Sequence, residues 1–129
     1  MAGETDLDTL LAGLQPRLHP DELVYCTAPE PVGDPIAVFR EAEGYTLIMP
    51  RREAERFGIP YTYPCRMITL TVHSSLEAVG LLARIATVLA ECGISVNAVS
   101  AYYHDHLFVP VERADDALEV LRTARRSRP

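Results

Sequence analysis

The apolar positions along the chain alternate between two periods, and the changes of period mark its elements. Leu7, Leu10, Leu11 and Leu14 recur at three, four and seven residues, which predicts a helix from Asp6 to Gln15, capped by Thr5 and stopped by Pro16. Glu22–Thr27 reads as a strand. Three prolines, a glycine and an aspartate crowd residues 28–35 into a loop. Ile36–Arg40 and Tyr45–Met49 flank Glu41-Ala42-Glu43-Gly44 as a hairpin, and a short helix runs from Pro50 to Phe57, closed by Gly58. In the second half, Arg66–His73 is rich in β-branched residues and predicts a strand. Ser74-Ser75-Leu76-Glu77 has capping-box spacing, and Leu81, Leu82, Ile85, Val88 and Leu89 continue an apolar face to Cys92, with Gly93 ending the helix. Ile94–Tyr103 and Leu107–Val111 read as strands joined by a tight turn at His104-Asp105. A final helix spans Arg113–Arg126. Six strands are expected in all.

The two halves echo each other at an offset of sixty residues. Thr46-Leu47-Ile48-Met49-Pro50 aligns with His106-Leu107-Phe108-Val109-Pro110, and Ala54 with Ala114. Each copy reads as hairpin, proline, helix, which implies a duplication.

Composition narrows the function. The 129 residues are 48% hydrophobic and 23% charged, and all 12 basic residues are Arg. Without Lys there is no P-loop, Schiff-base or protein-kinase lysine. A net charge of −6 disfavours non-specific binding to nucleic acid or an anionic membrane. Arg122, Arg125, Arg126 and Arg128 read as cations suited to the end of a helix rather than as a binding patch. Cys26, Cys65 and Cys92 have no metal-ligand spacing and are expected to be small core residues in a reducing compartment. The acidic start lacks an apolar signal core and no apolar stretch reaches membrane length, so a cytoplasmic protein with no membrane partner is expected.

Chemistry-bearing residues are few. His104 and His106 lie two apart and could face one metal ion, but no third ligand stands near them, so no metal is expected. His73 beside Ser74 and Ser75 lacks any nucleophile-elbow context, and capping accounts for Ser74. Tyr61, Tyr63, Tyr102 and Tyr103 read as packing residues. No catalytic residue and no cofactor is expected.

The string Val79-Gly80-Leu81-Leu82-Ala83-Arg84-Ile85-Ala86-Thr87-Val88-Leu89-Ala90-Glu91-Cys92-Gly93-Ile94-Ser95-Val96 resembles the ACT domain, with Val79 where that family commonly has Pro and Ser95 where it commonly has Asn. Tyr102–Pro110 is similar to a small bacterial subfamily carrying two such units and no enzyme domain. The resemblance implies an α+β chain of two tandem ferredoxin-like βαββαβ units, with antiparallel sheets and helices on one face. Residues 1–62 would form a degenerate N-terminal unit and 63–129 a C-terminal ACT domain. It also implies a non-catalytic regulatory module that binds a small molecule, above all an amino acid; with six strands where two complete units need eight, open sheet edges suggest a homodimer. The alternatives are an assembly protein without a ligand and, further off, a His-dependent enzyme. On this reading the ligand meets His73, Ser74, Ser75, Leu76, Val79, Gly80, Leu81 and Asn97. The helix entry offers free N–H groups to a carboxylate, Gly80 permits close approach, and Asn97 can bond an amino-acid head group.

Overall fold

One antiparallel sheet of seven strands organises the chain in the computed structural model, which describes residues 6–71 and 80–126. An N-terminal arm consists of α1 (Leu7–Ala12) and β1 (Pro16–Leu18). There follow β2 (Leu23–Ala28), the hairpin β3 (Ala37–Glu41) and β4 (Gly44–Pro50), then α2 (Arg51–Phe57) and β5 (Tyr61–Leu70). The second half holds α3 (Leu81–Glu91), β6 (Asn97–Ser100), β7 (Asp105–Pro110), a 3-10 turn at Val111–Arg113 and α4 (Ala114–Arg126).

The main strand path is β3-β4-β2-β5-β7-β6, with β1 also paired to β5. Two ferredoxin-like units share this sheet. In the first, β2, β3 and β4 are joined by the start of β5, whose Tyr61, Thr62 and Cys65 pair with β2. In the second, the rest of β5 is the first strand and pairs with β7 along Cys65–Leu70. The outermost place, which a ferredoxin-like unit gives to its last strand, is taken by β1: Pro16, Arg17 and Leu18 oppose Leu70, Thr69 and Ile68. β5 thus runs through the boundary expected at residue 62, and the arm that precedes the first unit packs in the second.

Alternation sorts the side chains onto two faces. The helix-covered face carries two buried clusters. One joins Leu10, Leu11 and Leu14 of the arm to Ile68, Leu70, Leu81, Ile85, Leu89, Leu107, Val109 and Leu121. The other is built on Val24, Cys26, Leu47 and Met49 beneath Ala54 of α2. The opposite face has no helix over it, yet Leu23, Ile48, Cys65, Met67 and Phe108 are buried there. Tyr25 covers them, edge-on to Tyr63 at 5.6 Å and to Phe108 at 6.0 Å between ring centroids.

The sixty-residue echo is structural. Pro50 and Pro110 both end a strand and lead into a helical turn, with φ/ψ of −56°/137° and −55°/141°. Ala54 and Ala114 are both buried.

Several expected boundaries move. Asp6, not Thr5, caps α1, its Oδ2 accepting from the Thr9 N–H at 3.0 Å. β1 is a strand where Pro16 reads only as a stop, because three residues are too few to show a period. β5 begins at Tyr61 rather than Arg66. Pro64 hides this start, and it is tolerated because the β2–β5 register shifts beside it, with Tyr63 at φ 58°. The helix expected from Ser75 begins after Gly80, whose φ of 96° is not helical. Its Ser74 cap lies outside the described residues. β6 is shorter than Ile94–Tyr103, and the turn falls on Tyr102-Tyr103, closed by the Ala101 N–H donating to the His104 carbonyl at 3.0 Å. Those two tyrosines are exposed, at 74% and 69%, and not packed as expected. Cys92 likewise is an exposed C-cap rather than a core residue.

Candidate functional site

Of the eight residues expected to meet a ligand, His73, Ser74, Ser75, Leu76 and Val79 lie outside the described residues. Gly80 is the N-cap of α3, and among the described residues no side chain caps the helix there. Leu81 is 3% exposed and packs with Ile85 and Leu89, a core role. Asn97 opens β6 opposite Phe108, exposed at the edge of the sheet. The arrangement therefore brings together a helix start with no side-chain cap among the described residues and an edge amide. It is found only in the second unit, since residues 29–36 of the first unit contain no helix.

Two shallow grooves accompany it. One of about 380 Å³ is lined by Tyr25, Thr27, Thr46, Tyr61 and Thr62 at the end of β2. The other, about 300 Å³, lies between α3 and α4 beside Cys92 and Val120.

A polar chain crosses the helix-free face. Thr69 Oγ1 is 2.9 Å from His19 Nε2 and 2.9 Å from His106 Nδ1. The His104 ring stands edge-on to His106 at 6.3 Å, and its buried Nδ1 has no hydrogen-bond partner among the described residues. Burial holds both His19 and His106 below the usual histidine range, with Arg17 adding to the effect on His19, and His104 and His19 adding to that on His106. Among the described residues no three His, Cys, Asp or Glu side chains gather to hold a metal ion. Sequence reading sees His106 only as the neighbour of His104. Its link to His19 depends on the β1–β5–β7 register, which no local pattern encodes.

Nothing in these groups makes an activated nucleophile. Burial pushes the Cys65 thiol up to about 12, the opposite of a reactive thiolate, and its Sγ donates to the Leu23 carbonyl at 3.5 Å. No helix among the described residues is long and apolar enough to cross a membrane.

Comparison with known proteins agrees with the fold. One ACT-domain model matches residues 2–66 and a second matches residues 62–123. The chain belongs to the ACT-domain family, as a tandem pair. ACT domains are, as a class, regulatory modules that bind small molecules. A crystal structure of a Vibrio cholerae protein of unknown function, described as a possible transport protein, is 44% identical with a TM-score of 0.83, the match covering 92% of this chain and 95% of that one. An Agrobacterium tumefaciens protein is 13% identical with a TM-score of 0.70, covering 86% and 88%. The ligand-free regulatory subunit of aspartate kinase from Thermus thermophilus is 10% identical with a TM-score of 0.65, covering 84% and 95%. The last two are likenesses of fold. No curated protein matches the chain.

Proposed function

We propose that this chain is a non-catalytic regulatory module whose second unit binds a small molecule, an amino acid foremost, and that two copies form a cytoplasmic homodimer. The observation that carries the reading is the start of α3: an 11-residue helix with no side-chain cap among the described residues, entered through a glycine at φ 96°. Free N–H groups and the positive end of the helix dipole suit a carboxylate, and a residue without Cβ leaves room for one. Asn97 supplies an acceptor for an amino group and a donor for a carboxylate oxygen. The dimer rests on the sheet's two open edges, β3 and β6. Phe39 on β3 is 71% exposed and Val99 on β6 is 40% exposed, an exposure that edge pairing would relieve.

A thermal-shift screen against the twenty amino acids tests the reading. A ligand at a hundredfold its Kd stabilises by about 2.7 kcal/mol. Asn97→Ala, at an exposed position, should weaken that ligand at least tenfold (~1.4 kcal/mol) without lowering the melting temperature of the free protein. Undiminished binding moves the site elsewhere, and no shift with any amino acid favours the second reading, an assembly protein without a ligand. That alternative draws on the same apolar edges. Sedimentation tests the dimer separately, a monomer at all concentrations removing it.

A further inference from the structure

Thr69 lies in the middle strand of the second unit, 2% exposed, with Arg17 of β1 opposite it on one side and His106 of β7 on the other. Its one hydroxyl is the shared partner of two imidazoles, each at 2.9 Å. A hydroxyl has one proton to give and two lone pairs. With both rings neutral the arrangement closes: one ring donates its N–H to Oγ1, and the hydroxyl donates to the unprotonated nitrogen of the other. A proton added to one ring is still met if the other changes tautomer and accepts the hydroxyl's hydrogen; with both rings protonated, both are donors. Oγ1 then receives two N–H groups, and its own hydrogen is left in a buried place with no acceptor.

We propose that His19, Thr69 and His106 form a pH-sensitive latch that fastens the N-terminal arm to the second unit at neutral pH and loosens it as the solution becomes acidic. The latch spans the three strands β1, β5 and β7 at the point where the arm has least backbone to hold it, a strand of only 3 residues. Its neighbours favour the neutral state on balance. On the arm, Arg17 repels a cation at His19 while Asp21 attracts one. On β7, His104 opposes a charge at His106 and Asp105 favours it. From β5, the Arg66 guanidinium donates to the His19 carbonyl at 3.0 and 2.8 Å, placing a fixed cation beside the same residue. β6 presents the apolar Val99 to His106. Besides the β1–β5 ladder, the arm's polar ties include the His19 N–H to the Met67 carbonyl at 2.9 Å, and the Thr71 N–H and hydroxyl to the Gln15 carbonyl at 3.1 and 2.7 Å. Leu10, Leu11 and Leu14 remain as apolar anchors, so acid loosens the arm without casting it off.

Hydrogen exchange read at the His19 and Thr71 amides, corrected for the intrinsic pH dependence of exchange, tests the latch without any ligand, so its failure and that of the binding reading are separable. Between pH 7.5 and 5.0, wild-type protection at these amides should fall at least tenfold while Leu89 in α3 changes less than twofold. The double variant His19→Gln, His106→Asn keeps a hydrogen-bonding atom near each bonded ring nitrogen but cannot titrate, and should lose the pH dependence. Constant protection in the wild type overturns the latch, as does an equal fall in the double variant. If the double variant does not fold, Thr69→Val decides: its arm amides should exchange at pH 7.5 as fast as the wild type's at pH 5.0, and retained protection overturns the proposal.

Discussion

The two units repeat one plan and cover their sheets by different means. The second unit lays α3, α4 and the borrowed α1 over its strands, and its buried cluster reaches from Leu10 to Leu121. The first has α2 alone, with 7 residues, and where the second places α3 it has only the Pro-rich loop 29–35. That loop is nonetheless fastened. Val32 packs on the cluster, the Asp34 N–H donates to Glu53 Oε1 at 3.1 Å, and Gly33 (φ 68°) comes so close to α2 that a Cβ would meet Glu53 and the Phe57 ring at 2.8 Å. A half-sheet can thus lose a helix if a rigid loop closes over the gap. What it gives up is the helix start that the second unit retains.

The largest test of this contrast is truncation of one buried residue in each unit. Ile85→Ala, 1% exposed in the larger cluster, should cost roughly 3–5 kcal/mol in denaturant unfolding. Leu47→Ala beneath α2 should cost nearer to 2–3 kcal/mol, because a thin cover relaxes into the space more readily. Equal losses, or the reverse order, would mean that the second unit's extra helices add little. A smaller effect separates the two by pH. His19 and His106, held low, favour the neutral ring in the folded chain, so their stabilisation is present above about pH 6.5 and is lost as pH falls below it. Tyr25 and Cys65, both pushed up to about 12 by burial, act at the other end: their contribution is intact below about pH 9 and is lost as pH climbs toward 12. Tyr25→Phe should therefore flatten the alkaline limb of the melting-temperature profile and leave the acid limb unchanged, and a change on the acid limb would contradict this division. The smallest effect is at Arg113, which donates to the Cys92 carbonyl at 3.2 Å and the Gly93 carbonyl at 3.4 Å, tying the end of α3 to α4. Arg113→Ala should cost less than about 1 kcal/mol, as expected of a half-exposed pair.

What the sequence disclosed followed from local pattern. The hairpin 36–49, the short helix closed by Gly58 and the long apolar helix ending near Cys92 all come from periods of two or 3.6 and from their caps, and all are present. The misread parts are those whose structure is decided at long range. Pro16–Leu18 is a strand because Ile68–Leu70 offers it an edge, not because its own residues demand it. Pro64 interrupts a run that is continuous only because Tyr63 takes up a bulge between two units. Of the expected site, Gly80 is the N-cap of α3 rather than a residue inside the helix, Asn97 opens β6, and Leu81 turns into the core. The histidine chain was invisible, since His19 and His106 are joined through a residue fifty positions from one and thirty-seven from the other.

The borrowed strand also orders events in time. Residues 7–18 leave the ribosome before every element they pack against, and α1 rests on α4, made about a hundred residues later. Until β5 exists β1 has no edge to pair with, and until α4 exists the arm lacks a helix it packs on, so the second unit's sheet is completed by a segment synthesised well before the rest of it. Such a closure spans most of the chain and carries the entropy of a long loop, which slows folding more than it lowers stability. During that interval the outer edge of β5 stands open, a place where a neighbouring chain's arm could dock in exchange.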